Sequence, residues 1–294
     1  KMFMAELPEI VAMTSAIAPK LELYTIRSVV VNNTAPLYDG SAKNFRSGIV
    51  NKMIVRVWSF GKYLVLDLDD ESKIVMHFAL KGELDISNEK PHYADVIIGL
   101  CNGEYVSFVD HQNLAKIFLV PSEEAIRNAG LPQLALRTSQ ILGDLGPEAV
   151  CKAFNEDYLY AKVIHSTMTI KSLLCNQSIV SGIGNTYVDE ILFDAKIMPN
   201  RKCSTLDRID CIHIVRSVRV VLSHFIYLAR LAAVSDFRLS TIEKSTHKHT
   251  KVHCKAICPE CKHQISYKSF AGKGTYFCQR CQGGSNENRK SNVI

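Results

Sequence analysis

Two closely spaced pairs of cysteines near the C-terminal end constrain this chain most. Cys258 and Cys261 form one C-x-x-C pair, Cys278 and Cys281 form a second, and sixteen residues separate the two pairs. Each pair can present two thiolates to one tetrahedral ion, and the interval is long enough for a hairpin. A module of about 35 residues has little core without a metal. We therefore expect a structural Zn²⁺ ion at these four residues, with metal-free or redox-active cysteines as the alternative.

Composition limits the compartment and the partners of the chain. Its 294 residues, 47% of them hydrophobic, suffice for two medium domains and a small appended module. Ten cysteines without a recognisable secretory signal are typical of a reducing, intracellular compartment, either the cytoplasm with its nucleoid or the nucleus. The formal net charge of +6 suits a polyanionic partner, although many basic proteins bind no nucleic acid. The apolar stretch from Val220 is interrupted by His224 and Arg230 and is too short to span a bilayer, so we expect a buried helix and no membrane.

The hydrophobic pattern changes near residue 120. Between about residues 21 and 120, short apolar runs alternate with turn signals such as Asp69-Asp70 and Asn102-Gly103, which is typical of a β-sandwich. A helix near Pro8 is expected to precede the strands, and the polar segment 235–251 is expected to be a linker or a mobile loop. The expected strands are 24–31, 53–60, 63–68, 73–80, 94–100, 104–110 and 116–120, and the expected helices are 122–130, 147–155, 171–177, 187–195 and 206–231.

These patterns predict an α+β multidomain protein. We expect an N-terminal β-sandwich domain over residues 1–134 and a helical domain over 135–244. A four-cysteine zinc finger over 245–285 and a polar tail over 286–294 complete the predicted organisation.

Two glycine-containing turns could approach a phosphate. Gly182-Ile-Gly184-Asn185 permits a tight turn with outward amides, followed by the positive end of a helix that Asn185 could cap. Lys273 lies between two glycines inside the cysteine module, where the backbone can come close to a phosphate oxygen. A plain inter-helix turn and a solvated charged turn are the alternatives for these two features, each taken alone.

Taken together, these motifs resemble the formamidopyrimidine-DNA glycosylase and endonuclease VIII family. The block that runs from Lys171 through Gln177 to Glu190 resembles the helix-two-turn-helix of that family, and the finger tip at Lys273 is similar to its G-[RK]-x-T tip. Further likenesses cover nearly the whole chain: Glu6-Leu-Pro8-Glu9-Ile, Gly61-Lys62-Tyr63-Leu, 76–82, 110–118 and 145–148.

The resemblance implies a bifunctional DNA glycosylase and apurinic-site lyase. Such an enzyme excises oxidised bases, such as 8-oxoguanine or formamidopyrimidines, from duplex DNA. The amine of Ala5 would attack the anomeric carbon of the sugar and form a Schiff base. Glu6 would protonate the opening sugar ring as general acid, Lys62 would contact the phosphate beside the lesion, and Glu9 would orient the site and help to bind the lesion.

The start of the chain departs from the family pattern. Ala5 stands where the family has its catalytic Pro, and four residues precede it, so that its nitrogen is an amide. Initiation at Met4 followed by removal of that methionine would free a primary amine, and Lys62 is the other available nucleophile. The alternative function is a catalytically silent damaged-DNA-binding protein of the same fold, which borohydride trapping on abasic-site DNA would distinguish.

The resemblance also implies the residues that contact DNA. Leu80, Gln112 and Leu114 stand where the family typically has Met, Arg and Phe to fill the void left by the extruded base. Lys171, Asn185 and Lys273 would contact the DNA backbone, with Lys273 lacking the bidentate fork of the arginine that the family usually has there. The expected partner is double-stranded DNA, damaged or abasic, bound by a monomer.

Overall fold

The computed structural model describes residues 4–38, 41–122, 141–270 and 272–283. The chain divides into two compact units. The first comprises Lys1–Asp144 together with Ile226–Thr246, and the second comprises Leu145–Phe225 together with His247–Ile294. The predicted domain boundaries at 134/135 and 285/286, the expected helix 122–130 apart from Ser122, and the tail 286–294 lie outside the described residues.

The described helices and strands can be numbered in chain order. The helices are α1 Leu7–Leu21, α2 Ala42–Ile49, α3 Glu156–Val163, α4 Ile170–Leu174, α5 Asn185–Asp194, α6 Arg208–Ser235, α7 Leu239–Thr246 and α8 Gln279–Gln282. The strands are β1 Ile26–Val31, β2 Ile54–Phe60, β3 Tyr63–Leu68, β4 Lys73–His77, β5 Gly82–Ser87, β6 Val96–Leu100, β7 Tyr105–Asp110, β8 Lys116–Val120, β9 Ser266–Phe270 and β10 Lys273–Phe277.

The first unit contains the expected β-sandwich. One four-stranded antiparallel sheet has the order β1-β6-β7-β5, and the other has the order β2-β3-β4-β8. One hydrophobic cluster contains Ile98 from the first sheet, Leu66 from the second and Met13 from α1. Helix α1 presents buried residues at intervals of three and four, which is the spacing of one helical face.

Most of the expected strands are confirmed, but the strand expected over 73–80 ends early. Strand β4 ends at His77 because Ala79 has a left-handed φ of 49° and the N–H of Gly82 bonds to Phe78 O, which turns the chain. Strand β5 and helix α2 were not expected from the sequence. The strand alternates polar and apolar residues, and Leu84 is fully buried.

The polar segment that we expected to be a linker contains helix α7 and a short 3₁₀ helix, His247–His249. Leu239 and Ile242 are three residues apart and both belong to the cluster that contains α1. Thr246, four residues further on, is also fully buried. This i, i+3, i+7 spacing is the signal of a helix, and the polar composition of the rest of the segment obscured it.

The expected helix over 147–155 is also wrong. Its backbone pairs over a long range instead, because Pro147 O accepts from the N–H of Ser181 and the N–H of Ala149 donates to Ser181 O. Turns follow, in which the N–H of Phe154 bonds to Cys151 O. Backbone groups that are used in this way are not available to a helical ladder.

Helix α6 contains the apolar stretch from Val220 and is much longer than that stretch. Among the described residues it is the one helix long and apolar enough to cross a membrane by length and composition, and 39% of its most apolar window is buried. Its buried side chains recur every three or four residues, as in a helix packed along one face: Cys211, Ile214, Val218, Leu222, Phe225 and Ala229. The expected buried helix is therefore confirmed along one face, whereas Tyr227 and Val234 are exposed.

The second unit contains helices α3 to α5, the first part of α6, and the cysteine module. Strands β9 and β10 form the expected antiparallel hairpin, in which Lys273 pairs with Phe270. A small hydrophobic cluster beside it contains Cys258, Cys278, Ile265 and Phe193 of α5. The module therefore shares its core with the helical part of its own unit.

Candidate functional site

Ala5, Glu6 and Glu9 lie at the beginning of α1, and all three are buried. Glu6 is the N-cap residue, and its side chain accepts a hydrogen bond from the N–H of Glu9. In return, Glu9 Oε2 accepts from the N–H of Glu6 at 3.1 Å, and Glu9 Oε1 accepts from the hydroxyl of Thr246 at 2.9 Å. This capping box fixes the backbone next to Ala5. Glu9 thereby fixes the backbone of Glu6, whereas its predicted roles in orienting the site and binding the lesion stay predictions.

A cavity of about 270 Å³ opens beside Ala5. The loop and strand after β4 form one wall, and α7 forms another. The residues that line the cavity are Ala5, Phe78, Ala79, Leu80, Lys81, Gly82, Glu83, Leu239, Ser240, Glu243 and Lys244. The structure thus brings the predicted nucleophile and one predicted void-filling residue, Leu80, to the same cavity.

Lys62 lies in the two-residue turn between β2 and β3 and is buried. Gly61 precedes it with a φ of 59°, a conformation that glycine adopts without strain at the first central position of such a hairpin turn. Burial, and secondarily the charge of Lys62, lower the pKa of His77 to about 4. His77 is therefore neutral near pH 7 beside a cation. Lys62 is not among the residues that line the cavity next to Ala5.

Gln112 and Leu114 lie on the loop between β7 and β8. The carboxylate of Asp110 holds this loop, because it accepts hydrogen bonds from the N–H of Gln112 at 3.1 Å and from the N–H of Ala115 at 2.6 Å. Leu114 is half exposed. A rigid loop with an exposed apolar side chain can insert between bases.

Sequence analysis missed two carboxyl groups that the structure places at the cavity. Glu83 is on β5, and its Oε1 accepts from the N–H of Ser240 at 2.7 Å. Glu243 is on α7, where burial, followed by the negative charges of Glu9, Glu83 and Glu6, raises its pKa to about 9. Neither residue belongs to a motif: no strand was expected at Glu83, and Glu243 lies in the segment that was expected to be a linker.

In the second unit, the glycine turn before α5 is arranged partly as expected. Gly184 is the N-cap of α5 and Asn185 is its first residue, so the expectation that Asn185 caps the helix is wrong. Gly182 has a φ of 99°, and its N–H donates to Gln177 Oε1 at 2.9 Å. That amide therefore faces a side chain of the protein. Asn185 Nδ2 donates instead to Gly274 O at 3.0 Å, next to Lys273.

Lys171 is almost fully buried, and its amine is engaged by the protein. Its Nζ lies 2.7 Å from Asp189 Oδ1 and donates to Gly274 O at 3.0 Å. Two donors, Lys171 and Asn185, thus converge on one carbonyl of the hairpin tip. A direct contact of Lys171 with DNA stays a prediction. The geometry supports a positioning role, while Lys273 itself is exposed.

Asp189 and Glu190 of α5 complete this buried network. Asp189 Oδ2 accepts from the N–H of Tyr276 at 3.0 Å and lies 2.8 Å from Nδ1 of His253. Glu190 accepts three backbone N–H groups, those of residues 251–253. Burial raises the pKa of Glu190, and these hydrogen bonds oppose that effect. His253, which precedes the cysteine module in the sequence, is thus a buried structural residue.

We expect the substitution Lys171→Met to loosen the hairpin locally. Removing one partner of a buried ion pair costs about 3–5 kcal/mol, because the other charge is left without compensation. Hydrogen exchange at the amides of β9 and β10 should therefore accelerate. Lys268→Met, which removes an exposed lysine of the same hairpin, is the matched control. Equal protection in the two variants would show that the ion pair does not hold the hairpin.

The four cysteines of the module lie together. All four Sγ atoms are within 4.8 Å of one another, and the pairs Cys258–Cys281 and Cys261–Cys278 are 3.8 and 3.4 Å apart. A tetrahedral ion with metal–sulfur bonds of about 2.3 Å would hold its sulfurs about 3.8 Å apart. The cluster can therefore bind one metal ion through four thiolates.

Two family models match separate parts of the chain. The model of the formamidopyrimidine-DNA glycosylase N-terminal domain matches residues 4–117, and that of the formamidopyrimidine-DNA glycosylase H2TH domain matches residues 145–234. The first match begins immediately before Ala5, and the second contains the turn at Gly182–Asn185.

Curated relatives match over almost their whole length. The chain is 28% identical over 285 residues to the formamidopyrimidine-DNA glycosylase of Pelotomaculum thermopropionicum, a match that covers 95% of this chain and 99% of the relative. It is 29% identical over 287 residues to the protein of the same name from Klebsiella pneumoniae, with coverage of 95% and 100%.

The fold is also similar to the folds of solved structures. The chain superposes with a TM-score of 0.80 and 22% identity on Lactococcus lactis formamidopyrimidine-DNA glycosylase bound to DNA that contains an abasic site, covering 95% of this chain and 100% of that one. It superposes equally well on the Lactococcus lactis protein with DNA that contains FAPY-dG. With both of its matched domains belonging to one family, the chain is a member of the formamidopyrimidine-DNA glycosylase family.

Proposed function

We propose that this protein is a DNA repair glycosylase with apurinic-site lyase activity that removes oxidised bases from duplex DNA inside the cell. One observation carries the proposal. Ala5 forms part of the wall of a cavity, with the buried carboxyl of Glu6 next to it in the chain. The family match, which begins at Met4, and the relatives of the same name support it.

The chemistry needs Ala5 to be the first residue of the active protein. Its free amine attacks C1′ of the damaged nucleotide, and the bond from C1′ to the base breaks. The base leaves with the bonding electron pair and takes up the proton that the amine loses. Glu6 donates a proton to the ring oxygen as the sugar opens, which leaves an iminium, or Schiff base, on Ala5. Loss of the C2′ proton then expels the 3′ phosphate, and water releases the sugar from the enzyme. Each step conserves atoms and needs no oxidant.

The second unit binds the DNA backbone. Lys273 at the hairpin tip, held in place through Gly274 by Lys171 and Asn185, contacts a phosphate, and the turn before α5 lies beside it. We infer that the metal of the four-cysteine cluster is Zn²⁺, because a closed Cys₄ site with these sulfur spacings suits it. The ion is structural and takes no part in the reaction.

The loops of the first unit open the duplex. Leu114, exposed on the loop held by Asp110, and Leu80, at the cavity wall, fill the void left by the extruded base. Gln112 carries no charge, so its contact with the opposite strand is a neutral hydrogen bond. We expect weaker discrimination of the opposite base than an arginine would provide.

The substitution Glu6→Gln tests this function. In the protein that begins at Ala5, loss of the general acid should slow release of 8-oxoguanine from duplex DNA by about 10²–10⁴-fold. Affinity for DNA with a non-cleavable abasic analogue should stay within about threefold, because the amide keeps the shape of the side chain. Single-turnover kinetics measure the first quantity. Equal rates for the two proteins would exclude Glu6 as the proton donor.

A further inference from the structure

The cavity beside Ala5 has a polar wall that the proposed chemistry does not use. Glu83, on the same wall as Leu80, and Glu243, on the α7 wall, both line it. They approach the cavity from different elements of the first unit, so the fold, and not one local motif, places them together.

Only one of the two carboxyl oxygens of Glu83 is hydrogen-bonded within the protein. Its Oε1 accepts from the N–H of Ser240 in the first turn of α7, where the helix dipole favours negative charge. Its Oε2 is buried and has no hydrogen-bond partner among the described residues. A buried acceptor without a partner costs free energy, unless a ligand supplies a donor.

Glu243 supplies the donor of the pair. It lies one turn further along α7 and is largely removed from water. The carboxylates of Glu9, Glu83 and Glu6 face it and add to the effect of burial, and Lys81 opposes them only in part, so that its pKa is about 9. Its carboxyl is therefore neutral near pH 7 and carries a proton that it can donate.

A carboxylate beside a neutral carboxyl presents one acceptor and one donor to whatever occupies the cavity. That pair is complementary to an N–H next to a C=O, which is the lactam edge of oxidised purines and pyrimidines and of formamidopyrimidines. We infer that Glu83 and Glu243 contact the extruded base and select bases with this edge. The inference rests on the proposed function and deepens it, because it names the residues that read the substrate.

The test compares Glu243→Met with Glu243→Gln in the protein that begins at Ala5. Methionine keeps the length of the side chain but has no donor, so release of 8-oxoguanine from duplex DNA should slow by about tenfold or more, as expected for one buried hydrogen bond. Glutamine still donates from its amide, so its rate should stay within about threefold of the parent. Nicking of abasic-site DNA, which has no base to read, should be unchanged in both. Glu89→Met, which removes an exposed carboxyl of the same unit, is the control.

The pH profile gives a second readout that a purely structural role would not change. As the pH rises through about 9, Glu243 ionises and loses its proton, so base release relative to abasic-site nicking should fall in the parent. The same ratio should stay flat in Glu243→Gln, which has no proton to lose in this range.

The outcomes separate the inference from the function on which it rests. If the parent nicks abasic-site DNA but Glu243→Met releases the base normally, the inference is wrong and the proposed function stands. Equal losses of base release and nicking, or a Glu243→Gln variant as slow as Glu243→Met, would also overturn it. A parent that nicks abasic-site DNA but releases no oxidised base contradicts it too. A parent that neither nicks nor forms an adduct removes both proposals.

Discussion

Deleting the four residues before Ala5 should raise the rate at which the protein nicks abasic-site DNA by at least about 10³-fold. Enzymes that lack their nucleophile lose activity by a factor of this order, and the longer chain lacks the free amine of Ala5. In the longer chain the nitrogen of Ala5 is an amide, whose lone pair is delocalised into the carbonyl. In the shorter chain it is an amine with an ordinary pKa near 8, which is partly unprotonated at neutral pH.

The measurement is nicking of a labelled abasic duplex by the two proteins, after mass spectrometry has verified the first residue of each. Lys62→Met, introduced into both lengths, tests the other candidate nucleophile. The prediction requires the longer chain to be inactive both with Lys62 and with the substitution Lys62→Met. Equal activity of the two lengths, abolished by Lys62→Met, would assign the nucleophile to Lys62 instead.

Removal of the metal from the four-cysteine cluster should unfold the β9–β10 hairpin and lower DNA affinity by about tenfold or more. Binding of structural zinc supplies about 10–16 kcal/mol, which is comparable to the whole stability of a typical domain. Cys258 and Cys278 are part of the small hydrophobic cluster that anchors the hairpin, so loss of the ion disrupts that cluster, and the hydrogen bonds to Gly274 do not replace it. Lys273 would then lose its fixed position.

A strong chelator and the variant Cys278→Ser should have the same effect, measured by metal content, by amide exchange in the hairpin and by the affinity for duplex DNA. Cys101→Ser, which alters an exposed cysteine of the first unit, should keep the metal and the affinity. Restoring zinc should rescue the chelated protein but not Cys278→Ser. A hairpin that stays protected without metal would contradict the structural role of the ion.

The parts of the fold that were predictable carry a periodic signal. The strands of the sandwich alternate between turns such as Asn102-Gly103, and β6 and β7 flank that turn as expected. Helix α7 was missed because only Leu239, Ile242 and Thr246 mark its buried face within a polar segment. The failure at 147–155 has another cause, since pairing of Pro147 and Ala149 with a distant residue overrides local helix propensity.

Some residues of the candidate site were also predictable from the sequence, and others were not. Spacing alone predicts the cysteine cluster, because the chemistry of one ion links all four residues. The burial of Lys171 could not be predicted, since it depends on Asp189, eighteen residues away, and on Gly274, 103 residues away. Glu83 and Glu243 come from segments without motifs, and only the packing of α7 brings them to one cavity.

Reductive trapping on lesion-containing DNA tests the central claim most directly. The protein that begins at Ala5 is mixed with duplex DNA that contains a single 8-oxoguanine, borohydride is added, and mass spectrometry identifies the small molecules and the cross-linked peptide. The proposed function predicts free 8-oxoguanine in solution and a sugar adduct on the amine of Ala5. Tight binding of the duplex with no released base and no adduct would contradict it and would identify a damaged-DNA-binding protein.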